Sequence, residues 1–458
     1  SSGGGLLTND GVVIHSGAGL RVSDATNAGA IVNNGDWEVS YPFFGTGNFS
    51  GTTANPGSFT NNGTVRRTDA DDPAAGYATF YAGVNVANNG TITAESGELR
   101  INSAPSHFSG SVFSNGVWEV ENGSTLDLPT WVTENAAEIT ISGVGSAIPD
   151  LNGTSANAFV ENSGTLRIVE GADLSPTGNF TNSGTLILGN GASPLELSTL
   201  SVAGNFATTG TLDIHIGGPQ ADSLYGDVIA GGEATLGGTL TTTLLNGFEP
   251  GETDTYQIMD YQSRAGTFND VTGLDPWFGL SITGDDVTPG NVILNGSNQK
   301  PTALPGGPYS GDEGDPPIAI NGAGTDPETD PLDLTFSWEP AASFSDSTAA
   351  ITTFIDTDDE LNETIFLTVC DDGIDPQCDT VSTTVTIDNL APEVTAVAGP
   401  FNLNEGDAIP TTDLATFTDA GVNDTHESQI LWGDGASELR AADTSPVSGT
   451  HTYARSGP

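Results

Sequence analysis

Nine times in the first two thirds of this chain, a turn rich in Asn or Gly runs straight into a short alternating apolar strand. The clearest copies are Asn62-Gly63-Thr64-Val65, Asn89-Gly90-Thr91-Ile92, Ser163-Gly164-Thr165-Leu166, Ser183-Gly184-Thr185-Leu186 and Thr209-Gly210-Thr211-Leu212. With the weaker copies, the glycines fall at 35, 63, 90, 116, 143, 164, 184, 210 and 238, so neighbours stand 20 to 28 residues apart. One strand and one turn per copy at that period predicts a solenoid. A single strand buries nothing until its neighbours stack on it.

Strand alternation assigns the faces. Two residues after the glycine come Trp37, Val65, Ile92, Trp118, Leu166, Leu186, Leu212 and Leu240, and four after it Val39, Ala94, Val120, Ile168, Leu188 and Ile214. These positions share one apolar face, so they are expected to point inwards, with Trp37 and Trp118 as core residues rather than sugar platforms. The intervening positions, Thr in most copies, face water. Asn at the turn accepts left-handed backbone, and stacked Asn side chains form an amide ladder. Glu38 and Arg66, in adjacent copies, are expected to pair on the wet face. The fold class is all-β, a right-handed parallel β-helix of about ten coils at about 4.8 Å each. The Thr file does not imply ice binding, because the coil length is too irregular for a flat matching face.

Nine Lys and Arg stand against 60 Asp and Glu, a formal charge of −51. Nucleic acid is excluded as a natural partner, because phosphate contacts need cationic side chains. Gly, Ser, Thr, Asn and Asp dominate, which favours short strands and many turns over helices. There is no apolar run of 18 residues, hence no expected transmembrane segment. The opening Ser1-Ser2-Gly3-Gly4-Gly5 fits a mature secreted chain or an excised piece of a longer one. Cys370 and Cys378, eight apart with no neighbouring His, read as a disulfide closing a hairpin loop in an oxidising compartment.

The rungs lengthen from Thr199 to Asn295. Gly210-Thr211-Leu212-Asp213-Ile214, Tyr225-Gly226-Asp227-Val228, Ala234-Thr235-Leu236-Gly237-Gly238-Thr239-Leu240 and Gly266-Thr267-Phe268 resemble bacterial surface β-helices of the autotransporter-passenger or large-adhesin kind. The resemblance covers residues 30–297 and implies architecture more than biological role. The polar linker Gly296-Ser297-Asn298-Gln299-Lys300-Pro301 ends the solenoid. Residues 298–390 then carry longer strands and one Trp, the pattern of an Ig-like sandwich. Trp432-Gly433-Asp434-Gly435 and His451-Thr452-Tyr453 in residues 391–458 resemble the polycystic-kidney-disease (PKD) family. Glu313-Gly314, Phe336-Ser337-Trp338 and Asp371-Asp372-Gly373 in the first module match the PKD and cadherin-like pattern only in part. The second module is expected to be C-terminally incomplete, making the chain part of a longer array. Domains are therefore expected at 1–297, 298–390 and 391–458.

No catalytic constellation emerges. Lyases need a base, yet the solenoid offers only the scattered Arg21, Arg66, Arg67, Arg100, Arg167 and Arg264. His15, His107 and His215 are isolated, and no outward ladder of acids suggests a hydrolase. The resemblance to cadherin-like repeats implies Ca²⁺ held by hard oxygens at module ends. The candidate ligands are Glu313, Asp326, Asp330, Asp372 and Asp388, with Glu328 and Asp371 nearby and Glu405, Asp419 and Asp434 in the second module. Turn capping by Asp explains the same residues equally well. The expected role is a non-enzymatic extracellular structural or adhesive protein of the bacterial cell surface. Its partners would be copies of itself or matrix components, with no cofactor other than structural Ca²⁺. The rival reading is a carbohydrate-active enzyme or glycan-binding protein that uses the solenoid groove.

Overall fold

In the computed structural model the described residues are 4–454, except 17–18, 25, 41–48, 69–76, 103–105, 155–157, 191–195, 275–276, 328–332, 356–360, 373–375, 398 and 405. The chain divides into two compact units, residues 1–297 and 298–458.

The first unit is a parallel β-helix. On one side the strands Val12–His15, Asp36–Val39, Thr64–Arg67 and Thr91–Ala94 stack in parallel, each residue opposite its counterpart in the next coil. Val112–Val120 and Glu134–Ser142 continue the stack, followed by Thr165–Val169, Thr185–Asn190, Thr211–Ile216, Thr239–Leu244 and Asp270–Thr272. The inward file runs Trp37, Val65, Ile92, Trp118, Ile139, Leu166, Leu186, Leu212, Leu240, and no member exceeds 2% exposure. Each such side chain contributes about 1.5–3 kcal/mol by leaving water. At the far end of this unit the strands stop being parallel. Thr255–Tyr261 takes Gly290–Gly296 as an antiparallel neighbour, and Phe278–Ile282 pairs on that.

The Asn ladder is present, and it is double. Asn9, Asn33, Asn61 and Asn88 are buried; the Nδ2 of each of the first three donates to the Oδ1 of the next at 2.7, 2.8 and 2.8 Å, and Asn88 Nδ2 donates to Val117 O at 3.0 Å. Asn135, Asn162 and Asn182 repeat the file at 2.8 Å, and it ends on the Thr208 hydroxyl. The same Nδ2 groups also reach the following coil's carbonyls, such as Thr64 O at 3.0 Å and Thr91 O at 2.9 Å. An outer, exposed file runs in the opposite sense, from Asn89 to Asn62 to Asn34 to Asp10. Phe113 interrupts the inner file: it stands opposite Asn135, in a coil whose turn carries an extra residue.

Four expectations need correction. Gly143 is not a turn of the stack; Ala136-Ala137 occupies that place, since Ala137 carbonyl lies under Gly164 as other turn carbonyls lie under their glycines. The turn residues Asn34, Asn62 and Asn89, expected to accept left-handed backbone, do not adopt it, and neither do the stacked glycines Gly63, Gly90 and Gly184. The glycines are required by close approach instead: a Cβ on Gly63 would sit 2.1 Å from the Gly35 carbonyl oxygen. Arg66 bonds Asp36 at 3.3 Å and Glu95 at 3.7 Å, not Glu38, which takes the Thr68 hydroxyl. Finally, the outward face is not wet throughout, because Thr93 and Ile187 are buried in it. The inward face also accepts Arg67, 1% exposed, which donates to Val39 O and Thr68 O.

In the second unit, Tyr309–Asp312, Cys378–Asp388, Leu361–Cys370 and Thr335–Glu339 form one sheet of an Ig-like sandwich. Ile320, Trp338, Phe354, Ile365, Leu367 and Val369 fill its core. Cys370 and Cys378 are cross-strand partners joined by a disulfide that closes the loop between Leu361–Cys370 and Cys378–Asp388. Further on, Glu393–Ala396, Ala408–Thr418 and Val447–Thr452 make one sheet, and His426–Leu431 pairs with Ser437–Asp443.

Asn61 makes the inner ladder testable. Asn61→Leu removes the bonds its Nδ2 gives to Asn88 Oδ1 and to the carbonyls of Gly63 and Thr91, and takes away the Oδ1 that accepts from Asn33 Nδ2, so it should destabilise the solenoid by about 2–3 kcal/mol. Asn62→Ala, in the exposed file, should cost less than about 1 kcal/mol. Urea unfolding followed by circular dichroism decides, and equal losses would remove the inner file as the stabilising element.

Candidate metal centre

The five residues singled out for Ca²⁺ do not form one site. Cys378–Asp388 is an 11-residue strand, about 35 Å long, and the candidates divide between its ends. At the Cys378 end, Asp371 is buried and accepts from the Gln377 N–H and from Asn298 Nδ2. Asp372 beside it is exposed. Half-buried Asp326 follows Thr325, which pairs with Thr302 near the same end. Asp330, Glu328 and Glu405 lie outside the described residues. At the other end, Asp388 is exposed and supplies its carbonyl, which accepts the Glu313 N–H at 3.0 Å.

Glu313 is the exception. It directly follows the strand Tyr309–Asp312 and is 1% exposed. Its Oε1 accepts the Leu390 N–H at 2.7 Å, while its Oε2 is buried without a hydrogen-bond partner. A buried carboxylate oxygen with nothing to bind costs several kcal/mol unless a countercharge reaches it.

Asp419 and Asp424 bring further negative charge instead. One carboxylate oxygen from each of Glu313, Asp419 and Asp424 lies within 4.8 Å of the others. At that distance each pair repels by about 3–4 kcal/mol for an effective dielectric of ~20. The backbone is shaped to allow this approach. A Cβ on Gly421 would stand 2.7 Å from Glu313 Oε2 and 2.9 Å from Asp424 Oδ2, so only glycine leaves the space open. Asp419 is held by the Ala420 N–H and by His426 Nε2 at 2.5 Å, and Asp424 by Asn389 Nδ2 at 3.0 Å. An all-oxygen donor set with an orphaned buried oxygen fits a hard divalent cation, Ca²⁺ before a transition metal. Asp424, Gly421 and His426 were not picked out from sequence. The only signal was an acid–Gly–acid spacing in the loop 419–424, which turn chemistry produces as readily.

Asp434, the other acid expected in the second module, pairs with His451 at 2.9 Å, which holds its carboxyl below the usual range. In the solenoid, the cationic side chains are engaged. Arg167 pairs with Glu138, Arg100 with Glu98 while lying over the Tyr77 ring, and Arg264 donates to Gly284 O. His107 is buried, accepts the Asn88 N–H and is held below its usual pKa by desolvation.

Sequence reading also missed a stack of polar residues on another side of the solenoid. Asp173, Thr199 and Asp227 stand opposite one another in successive coils. Burial pushes Asp227 up to about 6, against a hydrogen bond from Thr199, with Asp260 and Asp173 adding to the rise. Asp227 Oδ1 is buried without a hydrogen-bond partner. Asp150 is likewise raised by burial to about 6, although its Oδ2 accepts the Leu128 N–H.

Two outcomes follow. For a site of about 10⁻⁴ M, ordinary for extracellular modules, 10 mM Ca²⁺ should stabilise the second unit by about 2.7 kcal/mol. Glu313→Gln should abolish that gain, and calorimetry with and without chelator reads it; an equal gain in the variant removes Glu313 from the site. The second concerns pH. A carboxyl whose folded pKa is raised takes up a proton on folding between its two pKa values. Its contribution therefore falls as pH rises from about 4 to about 6 and stays flat above. Asp227→Asn should stabilise by about 1–3 kcal/mol at pH 7 and reduce the slope over that window. An unchanged slope would show that Asp227 is not protonated in the fold.

No protein-family model matches the chain, and no curated protein matches it. Among solved structures it is similar to human CDH23 EC21-23, at 17% identity and a TM-score of 0.20, over 36% of this chain and 66% of that one. Protocadherin gammaB7 EC3-6 matches at 14% identity and 0.19, over 41% of this chain and 55% of that one. The extracellular cadherin domains 1–5 of protocadherin gamma B2 match at 12% identity and 0.18, over 48% and 56%. The chain thus spans less than two thirds of each, and scores of this size transfer no function.

Proposed function

We propose that this chain is a non-catalytic extracellular structural or adhesive protein of a bacterial surface. The β-helix serves as a rigid display surface, and the Ig-like modules as a spacer whose joint is stiffened by Ca²⁺. The observation that carries the reading is the unbroken inward file from Trp37 to Leu240, flanked by the buried Asn ladder. A scaffold built this way presents a long outward face whose residues are free to vary while the interior stays fixed. The Cys370–Cys378 disulfide suits an oxidising compartment. The Glu313–Asp419–Asp424 cluster supports Ca²⁺ by its orphaned oxygen. Partners of the displayed surface would be matrix components or further copies of the chain.

A second reading, a carbohydrate-active enzyme, is favoured by one observation only: the raised carboxyl of Asp227, stacked two coils from Asp173. A hydrolase needs two such groups about 5–9 Å apart. Incubation with a panel of acidic and neutral polysaccharides, followed by reducing-end analysis, separates the readings. The structural role predicts no release above background and survival of residues 1–297 through proteinase K digestion. Turnover that Asp227→Asn abolishes would replace the structural reading with the enzymatic one.

A further inference from the structure

The imidazole of His107 does for Asn88 what strand pairing does for Asn33 and Asn61. The strands Leu6–Asn9, Ala30–Asn33, Gly57–Asn61 and Val84–Asn88 stack in parallel, with Asn33 opposite Asn61 and Asn61 opposite Asn88. Among the described residues no further strand joins this sheet beyond Val84–Asn88. Two bonds from the next coil take its place. Ser106 N–H donates to Val86 O at 2.9 Å, and the Asn88 N–H donates to His107 Nε2 at 2.7 Å. His107 is 8% exposed, and its own carbonyl accepts both the N–H and the hydroxyl of Ser114 at 3.0 Å. Phe108 and Ser109 then fold back antiparallel on Phe113 and Val112. The fully buried Phe113 ring lies 4.8 Å from those of Phe108 and Trp118.

A ring nitrogen that accepts an N–H has to carry a lone pair, so this bond fixes the imidazole as neutral with its proton on Nδ1. A proton on Nε2 would set N–H against N–H, leave the Asn88 amide unbonded inside the coil, and bury a cation. Among the described residues no acid stands ready to offset that charge. Gly57–Asn61, Val84–Asn88, Thr91–Ala94 and Phe108–Ser109 carry no titratable side chain. On Val112–Val120 the one acid, Glu119, has the outward register. On Glu134–Ser142, Glu134 accepts from the Ser163 hydroxyl and Glu138 from Arg167. Burial is the largest influence on the ring and favours its neutral form.

We propose that His107 is a proton-operated latch: protonation of Nε2 releases the arm Ser106–Ser109 from the end of its sheet and opens this one coil, while the coils further along stay closed. Opening uncovers Phe108 and Phe113 together. The latch's contribution to stability is complete above about pH 6.5, the ordinary value for an unfolded His. It is lost as pH falls through the lower folded value. The raised carboxyls of Asp150 and Asp227 act in the opposite sense over an overlapping range, so a local probe reads the latch better than whole-chain unfolding does.

The test is amide hydrogen exchange on the whole chain at about pH 7.5 and about pH 4.5, corrected for intrinsic exchange. Acidification should cost the wild type about tenfold in protection at Asn88 and Ser114, because opening restores the ring's ordinary proton affinity. Amides of Thr185–Asn190 and Thr211–Ile216 should keep theirs. His107→Gln, whose side-chain carbonyl reaches the same amide without titrating, should hold equal protection at both pH values. His107→Leu should be open at both. Titration of the wild-type imidazole by NMR stands as a second measurement if a variant does not fold: ring and Asn88 protection should change with one midpoint below about 6.5. Unchanged wild-type protection, an equal loss in His107→Gln, a closed coil in His107→Leu or a ring midpoint at or above about 6.5 would each overturn the latch. Loss spread evenly over 1–297 would replace it with general acid unfolding.

Discussion

A carboxamide side chain placed inside a protein has to find partners for two donors and an acceptor. Inside a stack of coils the nearest partner is the same residue one rung away. That requirement links every level of the solenoid. An inward Asn at the turn is tolerable where the neighbouring coil offers a carboxamide, a hydroxyl or a turn carbonyl within reach, and where successive coils carry Asn this fixes the register of each coil on the next. A slip of one residue would set Asn33 against Thr60 or Asn62 instead of Asn61 and invert the faces of the following strand. The ladder is thus less a reservoir of stabilising energy than a device for choosing one alignment from several of similar apolar content.

The second unit manages charge rather than register. Its cations are few, so its acids are either bonded singly, as Asp379 is to Lys300 and Asp434 to His451, or collected where a metal can neutralise them together. Glu313 shows the difference most clearly. Its backbone is fixed by the Asp388 carbonyl and one oxygen by Leu390, while the other oxygen is aimed, buried, at two further carboxylates. Rigid preorganisation of this kind is what an ion site needs. A turn cap would have directed the oxygen at a backbone N–H.

How much of this was legible in the sequence depended on the range of the interaction. Alternation along one strand placed Trp37, Trp118 and the Leu file inside without error, since that rule is local and the pattern strict. The Asn ladder was legible for the same reason, one side chain per period. Where Ala136-Ala137 rather than glycine carries the period, the neighbouring glycine, Gly143, lies just past the strand Glu134–Ser142, so glycine spacing misplaces the turn of that coil. Arg67 was unreadable because nothing in its neighbours announces a guanidinium inside an apolar file. The pairing of Arg66 with Asp36 instead of Glu38 was a choice between two acids on the same rung, which register alone leaves open. The metal centre was half legible. Glu313 stood out, but its partners lie more than a hundred residues away, and no local pattern ties them to it.

The contact between successive turn backbones has a consequence for how such a scaffold can change. Because a Cβ on Gly63 would strike the carbonyl beneath it, and the amides beside it are bonded up and down, this corner is the most constrained part of the coil, departing from its pattern only at Ala136-Ala137 and at the extra residue between Ser114 and Val117. Yet between Gly35 and Gly238 neighbouring turns stand as few as 20 and as many as 28 residues apart. The slack is therefore taken up on the remaining sides of each coil. Evolution, or an engineer, could graft new sequence into those sides one rung at a time. The corner then acts as a binding spine on which pages of unequal width are kept in order.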